Sequence, residues 1–196
     1  MAEVTVRCLQ GAQIETVLDA LADLRITVFR DWPYLYDGDL AYEQRYLAAF
    51  AASKRAMVVG AFAGERLVGA ATALPLADEH EAMRAPFEAR GDDVTRLFYL
   101  AESVLLADWR GRRLGHRFFD ERERAARAGG FEEAVFCAVV RDPNDPRRPR
   151  DERSLEPFWR KRGYLPLEDV TCRFAWRDVG EARESEKTLQ FWRRRL

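Results

Sequence analysis

The spacing of apolar residues along the chain predicts seven strands and five helices. Strict alternation or a short apolar run, typical of strands, occurs at residues 4–9, 55–63, 66–75, 96–106, 134–140, 170–176 and 188–192. Apolar residues three and four apart, typical of one helix face, occur at residues 12–29, 42–50, 79–89, 114–128 and 155–162. This order predicts an α+β fold. Its mixed, mostly antiparallel central sheet of about seven strands would be flanked by helices and contain one parallel crossover.

Proline marks the interruptions between these elements. Pro33 ends the first helix, and the segment 142–149 contains too many prolines for regular structure. Neither an internal repeat nor a linker is evident in the 196 residues. We therefore expect one domain spanning residues 1–196, which is long enough to bury a substantial core.

Charge and composition narrow the classes of function. The net charge is −1, so no overall basic field attracts nucleic acid, yet arginine is concentrated at residues 110–127 and 141–162. Three cysteines and two histidines give neither a disulfide framework nor a metal site. We see no leader peptide and no apolar run long enough to span a membrane. The expectation is a cytoplasmic protein without metal, nucleic-acid or membrane partners.

The most informative segment is residues 102–119. An apolar strand end is followed by an arginine loop that contains glycine, and a helix then begins with Leu114, Phe118 and Phe119 on one face. Backbone N–H groups and the positive end of the helix dipole converge at such a junction, which favours phosphate binding. No lysine follows Gly115, which excludes a Walker loop, and the dinucleotide fingerprint is also absent.

The loop resembles the acetyl-CoA loop of the GNAT acetyltransferases, Arg/Gln-x-x-Gly-x-Gly/Ala. Arg110 occupies the first position and Gly115 the last, whereas Arg113 replaces the middle glycine. The family fold has the predicted order of elements, so the resemblance covers almost the whole chain. It implies that backbone N–H groups of the loop hold the pyrophosphate of acetyl-CoA. The strand before the loop would pair with the pantetheine arm, with an N–H near Val104 facing the thioester oxygen, and the splayed strand 134–140 would leave room for that arm. The cofactor-binding residues are then Val104, Leu105, Leu106, Arg110, Gly111, Arg112, Arg113, Leu114, Gly115 and His116.

A second local resemblance concerns Phe158–Trp–Arg–Lys–Arg–Gly–Tyr164, which is similar to the family's Phe-Tyr-x-x-x-Gly-Phe. The family often uses the tyrosine of this motif to protonate the departing thiolate. Here that position is Trp159, whose indole is no useful acid. Tyr164 or a water molecule would have to replace it, or no acid is needed.

The candidate general base is Glu102, a lone carboxylate in an otherwise apolar strand. Family bases often lie eleven residues before the loop arginine, which is the position of Tyr99. In a regular strand Tyr99 and Glu102 face opposite sides of the sheet, and only a bulge would place them together. The alternative is that Glu102 forms an ion pair with a core arginine such as Arg25.

The family resemblance also implies that the segment after the first helix walls the acceptor pocket. Tyr34, Tyr36 and Asp37 are candidates for contacting an amine, although a hydrophobic plug on the core is the competing interpretation. The expected function is acetyl transfer from acetyl-CoA directly to an amine of unknown identity. The alternative is a non-catalytic CoA-binding or regulatory module. The closing strands leave a homodimer possible.

Overall fold

The computed structural model describes residues 3–196. Its strands are β1 (Val4–Gln10), β2 (Met57–Ala63), β3 (Arg66–Pro75), β4 (Leu97–Leu105), β5 (Glu133–Val139), β6 (Leu165–Trp176) and β7 (Ser185–Arg195). Its helices are α1 (Ala12–Glu15), α2 (Leu18–Phe29), α3 (Leu40–Ala51), α4 (Glu81–Glu88), α5 (Leu114–Ala128) and α6 (Glu156–Lys161). In this part of the chain no helix is long and apolar enough to cross a bilayer.

The strands form one sheet in the order β1-β2-β3-β4-β5-β7-β6. Every neighbouring pair is antiparallel except β4 and β5, which are parallel because α5 connects them across one face. This arrangement confirms the predicted mixed, mostly antiparallel seven-stranded sheet with a single crossover.

The parallel pair separates soon after it begins. Residues Leu97 to Tyr99 pair with Glu133 to Val135, and no pairing follows in the described chain. The rest of β4 therefore faces β5 across a gap, with main-chain groups on that edge free to pair with a ligand.

A β-bulge interrupts β4 beside this gap. Thr72 opposes Glu102 and Leu74 opposes Tyr99, so Leu100 and Ala101 together stand against a single residue of β3. The extra residue reverses the alternation of side chains. Tyr99 and Glu102 consequently face the same side of the sheet, as the sequence hypothesis required.

Each face of the sheet is covered by helices and carries its own core. The first core, under α2, α3 and α4, includes Tyr99, Val104 and Cys137. The second, under α5, includes Phe98, Phe118 and Tyr164. The two ends of β4 contribute to both cores, so packing fixes this strand from above and below.

The main differences from the predicted element boundaries are in the first helix and in the closing strands. The helix expected at residues 12–29 is divided, because Val17 leaves the helical conformation with φ −123° and ψ 0°. The closing strands are longer than expected and reach into the charged segment. Lys187 can lie in β7 because its ammonium donates to the carbonyl oxygens of Trp176 and Ser185 at 3.0 and 2.9 Å.

Candidate active site

The loop between β4 and α5 is shaped by two residues with positive φ. Gly111 has φ +77° and Arg113, which immediately precedes α5, has φ +61°. Within residues 3–196, no acceptor receives a hydrogen bond from the N–H groups of residues 111–116, and no side chain caps the helix. The loop thus presents a series of free donors at a positive helix end, an arrangement that suits phosphate.

Two of the loop's arginine side chains, those of Arg110 and Arg112, are held by other groups of the protein. The Nε of Arg110 donates to the carbonyl oxygen of Leu105 at 3.2 Å, and its Nη2 lies 3.8 Å from Asp31. Arg112 donates to the carbonyl oxygen of Asp108 at 3.0 Å and stacks on Trp109. These contacts brace the loop and leave its main-chain donors accessible. A groove of about 310 Å³, lined in part by Arg110 and Asp31, adjoins it.

Gly115 and His116 form the first turn of α5. A Cβ placed on Gly115 would meet only the Phe158 ring, at 4.0 Å, so the fold itself leaves room for a side chain there. His116 lies against the edge of Phe158, with its Nδ1 3.5 Å from Arg162. No contact with the described residues therefore requires glycine at position 115.

The free edge of β4 presents specific donors to the gap. The Leu106 N–H donates to Val68 of β3 at 3.0 Å. Because donors alternate along a strand, the N–H of Val104 also faces β3, while those of Ser103 and Leu105 face the gap. The prediction of an N–H near Val104 therefore applies to its neighbours on either side.

Glu102 lies in a buried charge cluster on the α2 face. Its Oε2 forms an ion pair with Nη1 of Arg25, whose Nε pairs with Glu43. Its other oxygen, Oε1, and Oε1 of Glu43 are buried without a hydrogen-bond partner in the described chain. Glu102 therefore forms the ion pair with Arg25 that the sequence suggested. Its role as a general base also stays a prediction, because Oε1 has no hydrogen-bond partner among the described residues.

The hydroxyl of Tyr99 lies 3.2 Å from Sγ of Cys137, and both side chains are buried. Burial raises the pKa of Tyr99 well above its ordinary value, and the nearby Cys137 and Glu79 add to the effect. The pKa of Glu79 is itself raised by burial. Glu79 is thus a second carboxylate near Tyr99, which the sequence did not single out.

Tyr164 packs in the core beneath α5. It is fully buried, and its hydroxyl donates to Glu123 at 3.1 Å. Burial, together with the Glu123 carboxylate, raises the pKa of this phenol. Trp159 packs between Phe136 and Trp192, with ring centroids 5.0 and 5.1 Å away. The burial of Tyr164 and its hydrogen bond to Glu123 give it a structural role. That Tyr164 acts as an acid stays a prediction, and the burial of its hydroxyl disfavours it.

The segment that carries Tyr34, Tyr36 and Asp37 is fastened to the β6–β7 connection. Tyr36 forms a β-bridge with Asp178, and Asp37 is paired with Arg30 at 3.0 Å and Arg177 at 2.7 Å. The Tyr34 ring stacks on Trp176 with centroids 6.1 Å apart. Burial raises the pKa of Tyr36, and so does the nearby Glu43 carboxylate. The segment therefore adjoins the Arg25 cluster.

The anchor of this segment is Asp178, which is 1% exposed and was not found from the sequence. Its carboxylate pairs with Arg141 at 2.7 Å, Arg147 at 3.0 Å and Lys187 at 3.1 Å. Arg141 also donates to the carbonyl oxygen of Pro33, at 2.7 Å. This cluster fixes the backbone that leads into Tyr34.

We expect Asp178→Asn to lower the free energy of unfolding by about 2 kcal/mol, because it removes charge-assisted hydrogen bonds. Burial disfavours the Asp178 carboxylate, but Arg141 and Lys187 outweigh burial and lower its pKa. A lowered folded-state pKa stabilises the fold above the unfolded-state value, and this contribution is lost as the pH falls through the folded-state value. Urea unfolding at neutral and acidic pH should therefore show the difference from wild type shrinking in acid. A constant difference would contradict an ionic role.

Comparison with known proteins identifies the family. A model described as the acetyltransferase (GNAT) family matches residues 19–164. This match covers most of the chain, which therefore belongs to the GNAT acetyltransferase family. No curated protein sequence matches it significantly. The described residues also contain no group of three or more His, Cys, Asp or Glu side chains that could hold a metal ion.

Solved structures share the fold at low sequence identity. An acetyltransferase from Streptococcus agalactiae has a TM-score of 0.62 and 16% identity, over 100% of both chains. A polyamine N-acetyltransferase from Drosophila melanogaster has a TM-score of 0.61 and 12% identity, over 99% of this chain and 100% of that chain. The PaiA N-acetyltransferase from Thermoplasma acidophilum, solved with coenzyme A, has a TM-score of 0.53 and 13% identity over 99% of both chains.

Proposed function

We propose that this protein transfers an acetyl group from acetyl-CoA directly to an amine. The observation that carries the proposal is the run of free N–H groups at residues 111–116, at the open end of the gap between β4 and β5. A diphosphate on these donors would place the rest of the molecule along the free edge of β4. Family membership and a structural neighbour in complex with coenzyme A support this choice of donor.

In this proposal, the pantetheine amides pair with the main chain of β4, and the thioester carbonyl accepts a hydrogen bond from a gap-facing N–H such as that of Ser103. A preorganised donor stabilises the oxyanion that forms when the amine attacks the carbonyl carbon. The carbon–sulfur bond then breaks, coenzyme A leaves as the thiolate, and the amine proton is passed to a base or to water. The product is an amide.

Glu102 is the proposed base. Among residues 3–196 its Oε1 has no hydrogen-bond partner, whereas Oε2 is held by Arg25, so the carboxylate is oriented and retains an acceptor. An alkylamine has a pKa of about 10.4 and must lose a proton before it can attack, so a base that accepts this proton would promote the reaction. The second candidate base is Glu79, since burial raises its pKa above the ordinary value of a carboxyl group.

The alternative function is CoA binding without turnover. Trp159 packs in an aromatic cluster where the family often has a tyrosine, and the hydroxyl of Tyr164 is engaged by Glu123. If departure of the thiolate required an acid that this chain lacks, the protein would bind the donor and release no product. We keep this as the second candidate.

The acceptor pocket would be formed by Tyr34, Tyr36 and Asp37 beside the Arg25 cluster. Aromatic rings and carboxylates suit a cationic amine. One structural neighbour is a polyamine N-acetyltransferase and another is a ribosomal-protein-alanine N-acetyltransferase. The shared fold thus accommodates both small and protein amines, and we propose no narrower acceptor.

The test is thiol release from acetyl-CoA against a panel of small amines, amino acids, antibiotics and peptide N-termini. An acetyltransferase should release coenzyme A with at least one acceptor, and titration calorimetry should give a defined dissociation constant for acetyl-CoA. Binding without release across the panel would favour the alternative function. Absence of binding would contradict both.

A further inference from the structure

We infer that Arg122 is a positioning residue that holds the bulge of β4 and polarises the peptide between Glu102 and Ser103, whose N–H faces the gap. The inference rests on the proposed function, because the N–H in question is the proposed donor to the thioester. It assigns a role to the largest fully buried side chain of the described protein, which the reaction scheme above does not use.

The guanidinium of Arg122 reaches from α5 to the bulge. It donates to the carbonyl oxygen of Glu102 at 3.0 Å and to that of Thr72 at 3.2 Å through Nη1, and to Oγ of Ser103 at 2.8 Å through Nη2. Its Nε donates to the carbonyl oxygen of Phe118, one turn earlier in the helix, at 3.1 Å. Three of these four acceptors belong to β3 and β4, next to the point where their pairing shifts register.

A bulge explains why an arginine is needed at this point. The carbonyl oxygens of Thr72 and Glu102 lie beside this shift in pairing, and buried carbonyls must be satisfied. A neutral side chain with a single donor would donate to one of these carbonyl oxygens, whereas the guanidinium group donates to acceptors on both strands. Arg122 therefore fixes the shape of β4 next to the gap.

The charge of Arg122 has a further consequence. The side chain is 1% exposed and forms no ion pair with a carboxylate among the described residues, so its hydrogen bonds go to three carbonyl oxygens and the Ser103 hydroxyl. Burial lowers its pKa only to about 10, which leaves it protonated near neutral pH. A cation at the oxygen of a peptide draws electron density from its nitrogen, and hydrogen bonds in such a chain strengthen one another. The Ser103 N–H, on the far side of that peptide, becomes a stronger donor.

The test measures the thioester itself and needs no acceptor. Acetyl-CoA labelled with ¹³C at the carbonyl is bound to wild type, Arg122→Lys and Arg122→Met, and the carbonyl stretch is recorded by isotope-edited infrared spectroscopy. We expect a shift to lower frequency on binding to wild type, a smaller shift with Arg122→Lys and the smallest with Arg122→Met. Arg124→Met is the matched control, because Arg124 lies on the same helix with its side chain 71% exposed, and it should retain the wild-type shift.

Affinity separates positioning from a general loss of structure. The dissociation constant of acetyl-CoA should change less than threefold, since the phosphate loop is untouched, while turnover with any acceptor found should fall by up to about a hundredfold, the loss produced by removing an oxyanion donor. A carbonyl stretch that is the same in wild type and Arg122→Met would overturn the inference and leave the proposed function intact. Failure of wild type to bind acetyl-CoA would instead overturn the proposed function.

A measurement on wild type covers the case in which the variants do not fold. In ¹⁵N-labelled protein, the Ser103 amide proton should move further downfield with acetyl-CoA than with CoA, which lacks the acetyl carbonyl. The Arg122 side-chain Nε–H resonance should move with it. Equal responses to the two ligands would contradict a polarised Ser103 donor.

Discussion

Gly115→Asp should abolish the binding of CoA and acetyl-CoA while leaving the fold at least as stable as wild type. A carboxylate in the first turn of α5 would place a negative charge among the free N–H groups and repel a diphosphate, for an expected loss of about a hundredfold or more in affinity. The same charge interacts favourably with the helix dipole, by about 0.3–1 kcal/mol. Replacing a helical glycine by alanine adds about 0.5–1 kcal/mol, and replacing it by aspartate adds less. Titration calorimetry and thermal unfolding on one sample should therefore change in opposite directions.

The matched control is Gly115→Ala. A Cβ at this position lies 4.0 Å from the Phe158 ring, so the protein accommodates it without movement. Alanine should stabilise α5 as aspartate does but reduce affinity far less, because it introduces no charge. Arg110→Ala combined with Arg112→Ala should also remove CoA binding, since these side chains brace the loop. Unchanged affinity in Gly115→Asp would show that the diphosphate binds elsewhere.

The strand, loop and helix that form this site were predictable from local sequence. A buried strand, a glycine-containing loop and an amphipathic helix are each specified by neighbouring residues, and their order fixes where the free N–H groups converge. The sequence predicted the bulge only conditionally. If Tyr99 and Glu102 both belong to one site, they must lie on the same face of the sheet, and a bulge is then required. A bulge depends on how β3 and β4 align, which the residues of β4 alone do not determine.

The partners of the buried charged residues were harder to predict from the sequence. Arg25 was named as a partner of Glu102, but nothing near either residue in sequence indicated that Glu43 completes the cluster. Asp178 and its three cations come from β7 and from segments after β5 and β6, so only the tertiary fold brings them together. Contacts between residues so distant in sequence leave no periodic signal.

The burial of Arg122 could have been predicted from its spacing in the sequence. It follows Phe118 by four residues and Phe119 by three, so it shares the apolar face of α5. A charged residue on the core-facing side of a helix requires buried acceptors, and the carbonyl groups at a bulge provide them. The burial of an arginine could thus be predicted, whereas the strand it contacts could not.

Arg25→Met should lower the free energy of unfolding by about 3–5 kcal/mol, the cost of removing one partner from buried ion pairs. Arg25 is 8% exposed and faces both Glu43, which is fully buried, and Glu102. Without the guanidinium, two carboxylates would share an apolar environment without a cation. Glu102→Gln should be milder, because Arg25 then keeps Glu43. Urea unfolding at neutral pH measures both variants.

Arg30→Met is the matched control for this prediction. Arg30 follows α2, and its side chain is 55% exposed beside Asp37, so its loss should cost less than about 1 kcal/mol. Adding Glu43→Gln and Glu102→Gln to Arg25→Met should recover much of the stability, because no unpaired charge then remains. If Arg25→Met is as stable as Arg30→Met, the cluster does not hold α2 and α3 against β4. In that case Glu102 does not contribute to the stability of the fold, and a loss of turnover in Glu102→Gln results from loss of the base.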